Sequence, residues 1–144
     1  MNELTEVRRC NKRIYELSQE LMSAREYAYP KAISYDNIGG SHGGSVDAIE
    51  RAYIRVDEVI TKMIRAKRKR ARLVSEIKRA AYRAELDERE WFVIKMIYIV
   101  TKETEKPYTW QEVIHEMQRL YHIKERQAYN IHSLARKKIL DILD

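Results

Sequence analysis

TWQEVIHEMQRLYHIKERQAYNIHSLARKKI, residues 109–139, reads as two short amphipathic helices joined by a tight connection. The first announces its own start, because Thr109 can accept the backbone N–H of Glu112 while the Glu112 side chain reaches back to the Thr109 N–H, the reciprocal pattern of a capping box. Val113, Ile114, Met117 and Leu120 then recur three and four apart as one apolar stripe, with Gln111, Glu112, Gln118 and Arg119 facing away. Residues 121–124 are too few for anything but a turn. The second stripe follows as Ala128, Ile131, Leu134, Ala135 and Ile139, with Ala128 small where two helices must cross closely. The pattern predicts a helix-turn-helix.

Outside its stripe the second helix carries Glu125, Arg126, Tyr129, Asn130, Ser133, Arg136 and Lys137. An arginine can bind guanine O6 and N7 bidentately and an asparagine can do the same for adenine N6 and N7, while Ser133, Tyr129 and the later cations Arg136 and Lys137 suit phosphates. The N-terminal turn of such a helix is the part that enters the major groove. On an arbitrary helix a polar face is more often simply solvated. The capped helix and tight turn that precede this one favour the groove.

Three runs, DEREWFVIKMIY at 87–98, TWQEVIHEM at 109–117 and IKERQAYNIHSLARKKI at 123–139, resemble region 4 of bacterial sigma factors. With a tyrosine and Ser/Gly-rich loop, SVDAIER at 45–51 and IHSLA at 131–135, the chain from about Tyr27 onward is similar to small phage-encoded sigma-like regulators of late genes, the ArpU and RinA type. That resemblance implies a sequence-specific transcription regulator, with double-stranded DNA and host RNA polymerase as partners. It also implies base reading by Glu125, Arg126, Tyr129 and Asn130. One departure bears on the target: the sigma recognition helix opens with Arg-Glu after a Ser or Thr cap, whereas Lys124 stands at the cap here and the order is Glu125-Arg126. A site other than a standard minus-35 hexamer is therefore expected.

Four glycines and two prolines in 144 residues, with 35% charged residues, suit long helices and not a sheet, so the expectation is all-α. A formal charge of +6 and a pI near 9.4 favour a polyanionic partner. No window approaches 18 consecutive apolar residues and MNELTEVRRCNK has no apolar signal core, which points to a cytoplasmic chain that does not enter a membrane. Cys10, the single cysteine, has the spacing of a small core residue.

Residues 2–28 place Val7, Cys10, Ile14, Leu17, Leu21, Ala24 and Ala28 on a heptad seam. Tyr29-Pro30 is expected to end that helix. All four glycines lie in IGGSHGG, residues 38–44, a loop without the GKS or GKT of a phosphate cradle, and with His42, Tyr35 and Asp36 too sparse for a metal site. Ser45 is the expected cap of the next helix, whose seam reads Val46, Ile49, Tyr53, Val56, Ile60 and Met63. Paired seams predict a coiled-coil-like antiparallel hairpin over residues 1–86, followed by the helix-turn-helix over residues 87–144. The uncovered edge of the hairpin invites a second copy, most simply a homodimer.

Past Met63 cations take over, nine Lys or Arg against Glu76 in residues 65–83, and a second basic block spans residues 119–138. Lys67, Arg68, Lys69 and Arg70 join Ser133, Arg136 and Lys137 as expected phosphate contacts. Leu73, Val74, Ile77, Ala80, Ala81 and Leu86 resume an apolar stripe. Asp87, Glu88 and Glu90 suit the first turn of the following helix, and Trp91 and Trp110 read as core. The spacing of His115, His122 and His132 fits no metal motif, and no nucleophile elbow or isolated acid pair stands out. The reading is a non-enzyme without cofactor. Two other classes fit the same elements: a DNA-packaging protein resembling a terminase small subunit, and an adaptor that binds RNA polymerase.

Overall fold

The computed structural model describes the backbone of residues 2–37 and 43–144 and the side chains of residues 2–28 and 47–144. Five α-helices and no strand stand among the described residues, so the all-α expectation holds. The loop at 38–42 with His42, and the side chains of Tyr35, Asp36, Ser45 and Val46, lie outside the described residues.

Helix α1 (Glu3–Asn37) starts where Asn2 Oδ1 accepts the Thr5 N–H at 2.9 Å, with Glu3 and Glu6 in the first turn where the helix dipole favours acids. It does not end at Tyr29-Pro30 as expected; helical backbone continues through Pro30 to Asn37. Proline forfeits one helical hydrogen bond and crowds the preceding turn, which can bend a long helix without ending it. Helix α2 (Gly43–Arg83) begins two residues ahead of Ser45, which is therefore inside the helix and not its cap. Gly43 and Gly44 occupy a first turn whose N–H groups need no intrahelical partner. With 41 residues, α2 is about 60 Å long.

The two long helices run antiparallel: Arg55 meets Glu20 at 3.4 Å, and Arg70 meets Asn11 at 2.5 Å. On α1 the seam is as read, with Val7, Cys10, Ile14, Leu17, Ala24 and Ala28 buried. On α2 it is as read at Val56 and Met63, but Ala52 and Val59 take the places expected for Tyr53 and Ile60. Ala52, Val59, half-buried Ala66, Leu73 and Ala80 recur every seven residues, with Val56, Met63, Arg70 and Ile77 between them, while Tyr53 is exposed. The seam does not falter after Met63; it passes through Ala66 and Arg70. Bulk misleads here, because helices that approach closely put alanine at the contact and push larger neighbours to the flanks.

Beyond Arg83 the chain turns through Glu85, whose φ of 54° is left-handed, to α3 (Glu88–Ile94). Asp87 caps α3 by accepting the Glu90 N–H at 2.8 Å. Glu90, expected only to favour the dipole, is 3% exposed: it accepts the Asp87 N–H and lies 2.9 Å from Lys138 Nζ, a buried carboxylate tied to the last helix. The last turn of this segment, Lys95–Ile99, widens to π-helix. A tight turn follows, in which the Lys102 N–H donates to the Lys106 carbonyl at 3.0 Å and Glu105 takes a left-handed φ of 70°.

Helix α4 (Trp110–Tyr121) carries the expected capping box, Glu112 N–H to Thr109 Oγ1 at 3.3 Å and Thr109 N–H to Glu112 Oε1 at 3.1 Å. It stops at His122, left-handed with φ 53°; Ile123 is buried beneath the turn, and α5 (Glu125–Leu143) starts two residues later. Two stripe residues are misplaced: Leu120 is 42% and Leu134 50% exposed, each at the edge of its stripe. Trp91 and Trp110 pack half-buried on the core, and Cys10 is buried, as expected.

One hydrophobic core gathers the start of α1 (Leu4, Val7), the end of α2 (Leu73, Ile77, Ala80, Ala81) and all three later helices, down to Ala135 and Ile139. Full burial of each large aliphatic here is worth about 1.5–3 kcal/mol. The core crosses the expected boundary at residue 86. No described helix is long and apolar enough to cross a membrane.

Candidate nucleic-acid interface

Helix α5 lies on the core through Ala128, Ala135 and Ile139, all fully buried, so the residues half a turn away point outward. Lys124 N–H donates to Gln127 Oε1 at 2.8 Å, closing one half of a capping box; the ammonium of Lys124 has no lone pair for the other half. Glu125, Arg126, Asn130, Ser133 and Lys137 are exposed, and none of their side chains makes a hydrogen bond or ion pair within the described residues. Arg126, Asn130 and Lys137 stand four and seven residues apart along one line.

Tyr129, the fourth expected base reader, is exposed but leans on Trp110, ring centroids 5.1 Å apart. Trp110 also meets the His132 ring edge-on at 4.6 Å. Behind them the Tyr98 hydroxyl lies 2.7 Å from His132 Nε2. Burial, reinforced by the charges of Arg136 and Arg8, pushes His132 down to about 4, and burial raises Tyr98. Arg136, expected on phosphate, is half-buried with its Nε enclosed, so it faces this cluster and not the open groove face. Arg8 of α1 supplies a cation beside α5 that the sequence reading missed; the doublets Arg8-Arg9 and Lys12-Arg13 were its signal.

The expected phosphate set on α2 is divided among different faces. Lys67 pairs with Glu105 at 3.2 Å on the flank toward the C-terminal helices. Arg70 points inward: its Nε donates to Asn11 Oδ1, its Nη2 donates to the Ile99 carbonyl, and Asn11 Nδ2 donates to the Tyr98 carbonyl at 2.8 Å. Asn11 is 2% exposed. The π-helical turn ends in carbonyls without intrahelical donors, and these two side chains from α1 and α2 satisfy them. Arg70 is thereby drawn out of the phosphate set. Arg68 and Lys69 are exposed and free of ion pairs. Lys138 is held by Glu90.

A cavity of about 340 Å³ beside Arg70 is lined by Lys67 and Lys102, but Glu105 and Glu112 already neutralise them. Lys102, helped by the Thr109 N–H, holds Glu112 down to about 2. His115 is exposed on α4, His122 ends that helix and His132 meets Tyr98; among the described residues no three His, Cys, Asp or Glu converge as a metal ion would need. Comparison with protein-family models, curated proteins and solved structures gave no significant match to this chain.

Proposed function

We propose that the chain is a sequence-specific DNA-binding transcription regulator in which α4 and α5 act as a sigma region 4-like helix-turn-helix, with α5 in the major groove. The observation that carries this reading is the outward line of Arg126, Asn130 and Lys137, free of internal partners on a helix fixed from behind by Ala128, Ala135 and Ile139. A side chain already satisfied within the fold would have to break those bonds before reading a base. These need not. Glu125 and Tyr129 complete the base-reading set, Tyr129 held by Trp110. Ser133 and Lys137 meet phosphate beyond the bases. Such a protein acts without catalysis or cofactor, in the cytoplasm of a bacterial host, as a phage or prophage activator at host RNA polymerase.

Selection of bound sites from a random duplex pool tests this, followed by titration of variants on the selected site and on a scrambled duplex. Arg126→Ala and Asn130→Ala should each cost about 1–3 kcal/mol at the selected site and relax preference at one position. Lys137→Ala should weaken both duplexes alike. An unenriched pool, or equal loss on both duplexes for Arg126→Ala and Asn130→Ala, rejects base reading and favours the packaging or adaptor roles.

A further inference from the structure

The cations of α2 are not spread evenly around the helix. At 100° per residue, Arg65, Arg68, Arg72, Arg79 and Arg83 fall on one stripe, roughly 120° round from the core residues Leu73, Ile77, Ala80 and Ala81. All five are exposed, and none is in an ion pair; Arg79 alone has a partner, the Ser75 hydroxyl at 3.2 Å. One acid, half-buried Glu76, lies among them. Neighbouring groups fix the direction of the stripe. Lys67 and Lys78 mark the flank that meets the C-terminal helices, Lys67 on Glu105 and Lys78 in a slot with Leu86 and Trp91. Burial pushes the Cys10 thiol of α1 up, and the charges of Lys69, Arg70 and Arg72 act against that, so Arg72 lies on the flank toward α1.

Helix α5 packs its inner side against α2 and α3, so its outward line and the arginine stripe face away from each other across the molecule. With helix axes about 8–10 Å apart and side chains on both outer sides, the two faces are roughly 20 Å apart. A straight duplex cannot lie on both.

We propose that the arginine stripe is a second duplex-binding face, gripping the phosphates of a DNA segment other than the one read by α5, so that one chain holds two segments at once. The polyanion is taken to be DNA on the strength of the α5 reading; the stripe itself follows from α2 alone. From Arg65 to Arg83 it covers about 27 Å, enough to meet several phosphates along a duplex. Arginine forks match phosphate oxygens in pairs. A grip on phosphates alone carries no sequence information, so this face holds DNA without regard to sequence. A membrane surface fits poorly, since an interfacial helix must offer an apolar side and the apolar side of α2 in this region is in the core.

Sedimentation of the full chain at low salt with fluorescent duplexes too short to be shared by two chains counts duplexes bound per chain. Wild type should bind two, and Arg68→Gln/Arg72→Gln/Arg79→Gln one, with sequence preference intact. Arg126→Ala/Asn130→Ala/Lys137→Ala should also bind one, with preference lost. Saturation of the wild type at one duplex, or two still bound by the glutamine variant, overturns the second face. So does a glutamine variant that keeps both duplexes yet releases phosphatidylserine vesicles bound by the wild type. If instead the α5 variant keeps both duplexes and its preference while the glutamine variant drops to one, the stripe stands and the α5 reading falls.

Discussion

His132 accepts the Tyr98 hydroxyl only while Nε2 is unprotonated, and it is enclosed by Tyr98, Trp110 and the cations Arg8 and Arg136. Its folded pKa of about 4 lies below the ordinary 6.5, so between these values the unfolded chain binds the proton more tightly. Stability should therefore fall as pH drops from about 6.5 toward 4, with this contribution fully present above 6.5. Urea unfolding followed across that range should show the decline in wild type and a shallower one in His132→Asn; parallel profiles would remove His132 from the account. The setting of His132 was not legible in the sequence, because a histidine three residues from Tyr129 and four before Arg136 looks like a surface residue until Tyr98 and Trp110 close over it. Arg126 and Asn130 were legible for the opposite reason: helical periodicity alone places them opposite Ala128 and Ala135.

At the scale of elements, two polar residues sit on facing seams, Asn11 between Val7 and Ile14 and Arg70 between Ala66 and Leu73, and together they close the end of the π-helical turn. Asn11→Leu should strand the Arg70 guanidinium and the Tyr98 carbonyl and cost about 1–3 kcal/mol in urea unfolding. Arg70→Met should cost a similar amount while leaving the salt dependence of DNA binding unchanged, unlike Arg68→Gln. A cost below about 0.5 kcal/mol would mean the node is dispensable. The elements themselves were largely readable: the Thr109 capping box, the turn before α5 and the α1 seam follow from side-chain type and spacing. The α2 seam was readable only in part: Val56 and Met63 lie on it, but bulk favours Tyr53 over Ala52, and Arg70, which looks like an interruption, is the seam's own partner for Asn11. The passage of α1 through Pro30 is not legible in the sequence, because the local preference of the residue before proline is weak against a long helix.

For the whole molecule, the far half of the antiparallel pair leaves Met22, Tyr53, Ile54 and Ile64 exposed, well away from the shared core. Two helices alone cover such side chains poorly, so the chain should self-associate through this half, most simply as a dimer. Sedimentation at high micromolar concentration should report it, and Ile54→Glu/Ile64→Glu should return a folded monomer; a monomeric wild type would end the idea. The division at residue 86, natural from composition, gave no hint that Leu4 and Val7 share a core with Ala135 and Ile139. Contacts between residues so distant in sequence must await closure of nearly the whole chain, which slows folding compared with a bundle of neighbouring helices. During synthesis the apolar base of α1 and α2 leaves the ribosome before α5 exists to cover it, so the nascent chain carries its stickiest surface for longest and is a natural client for chaperones.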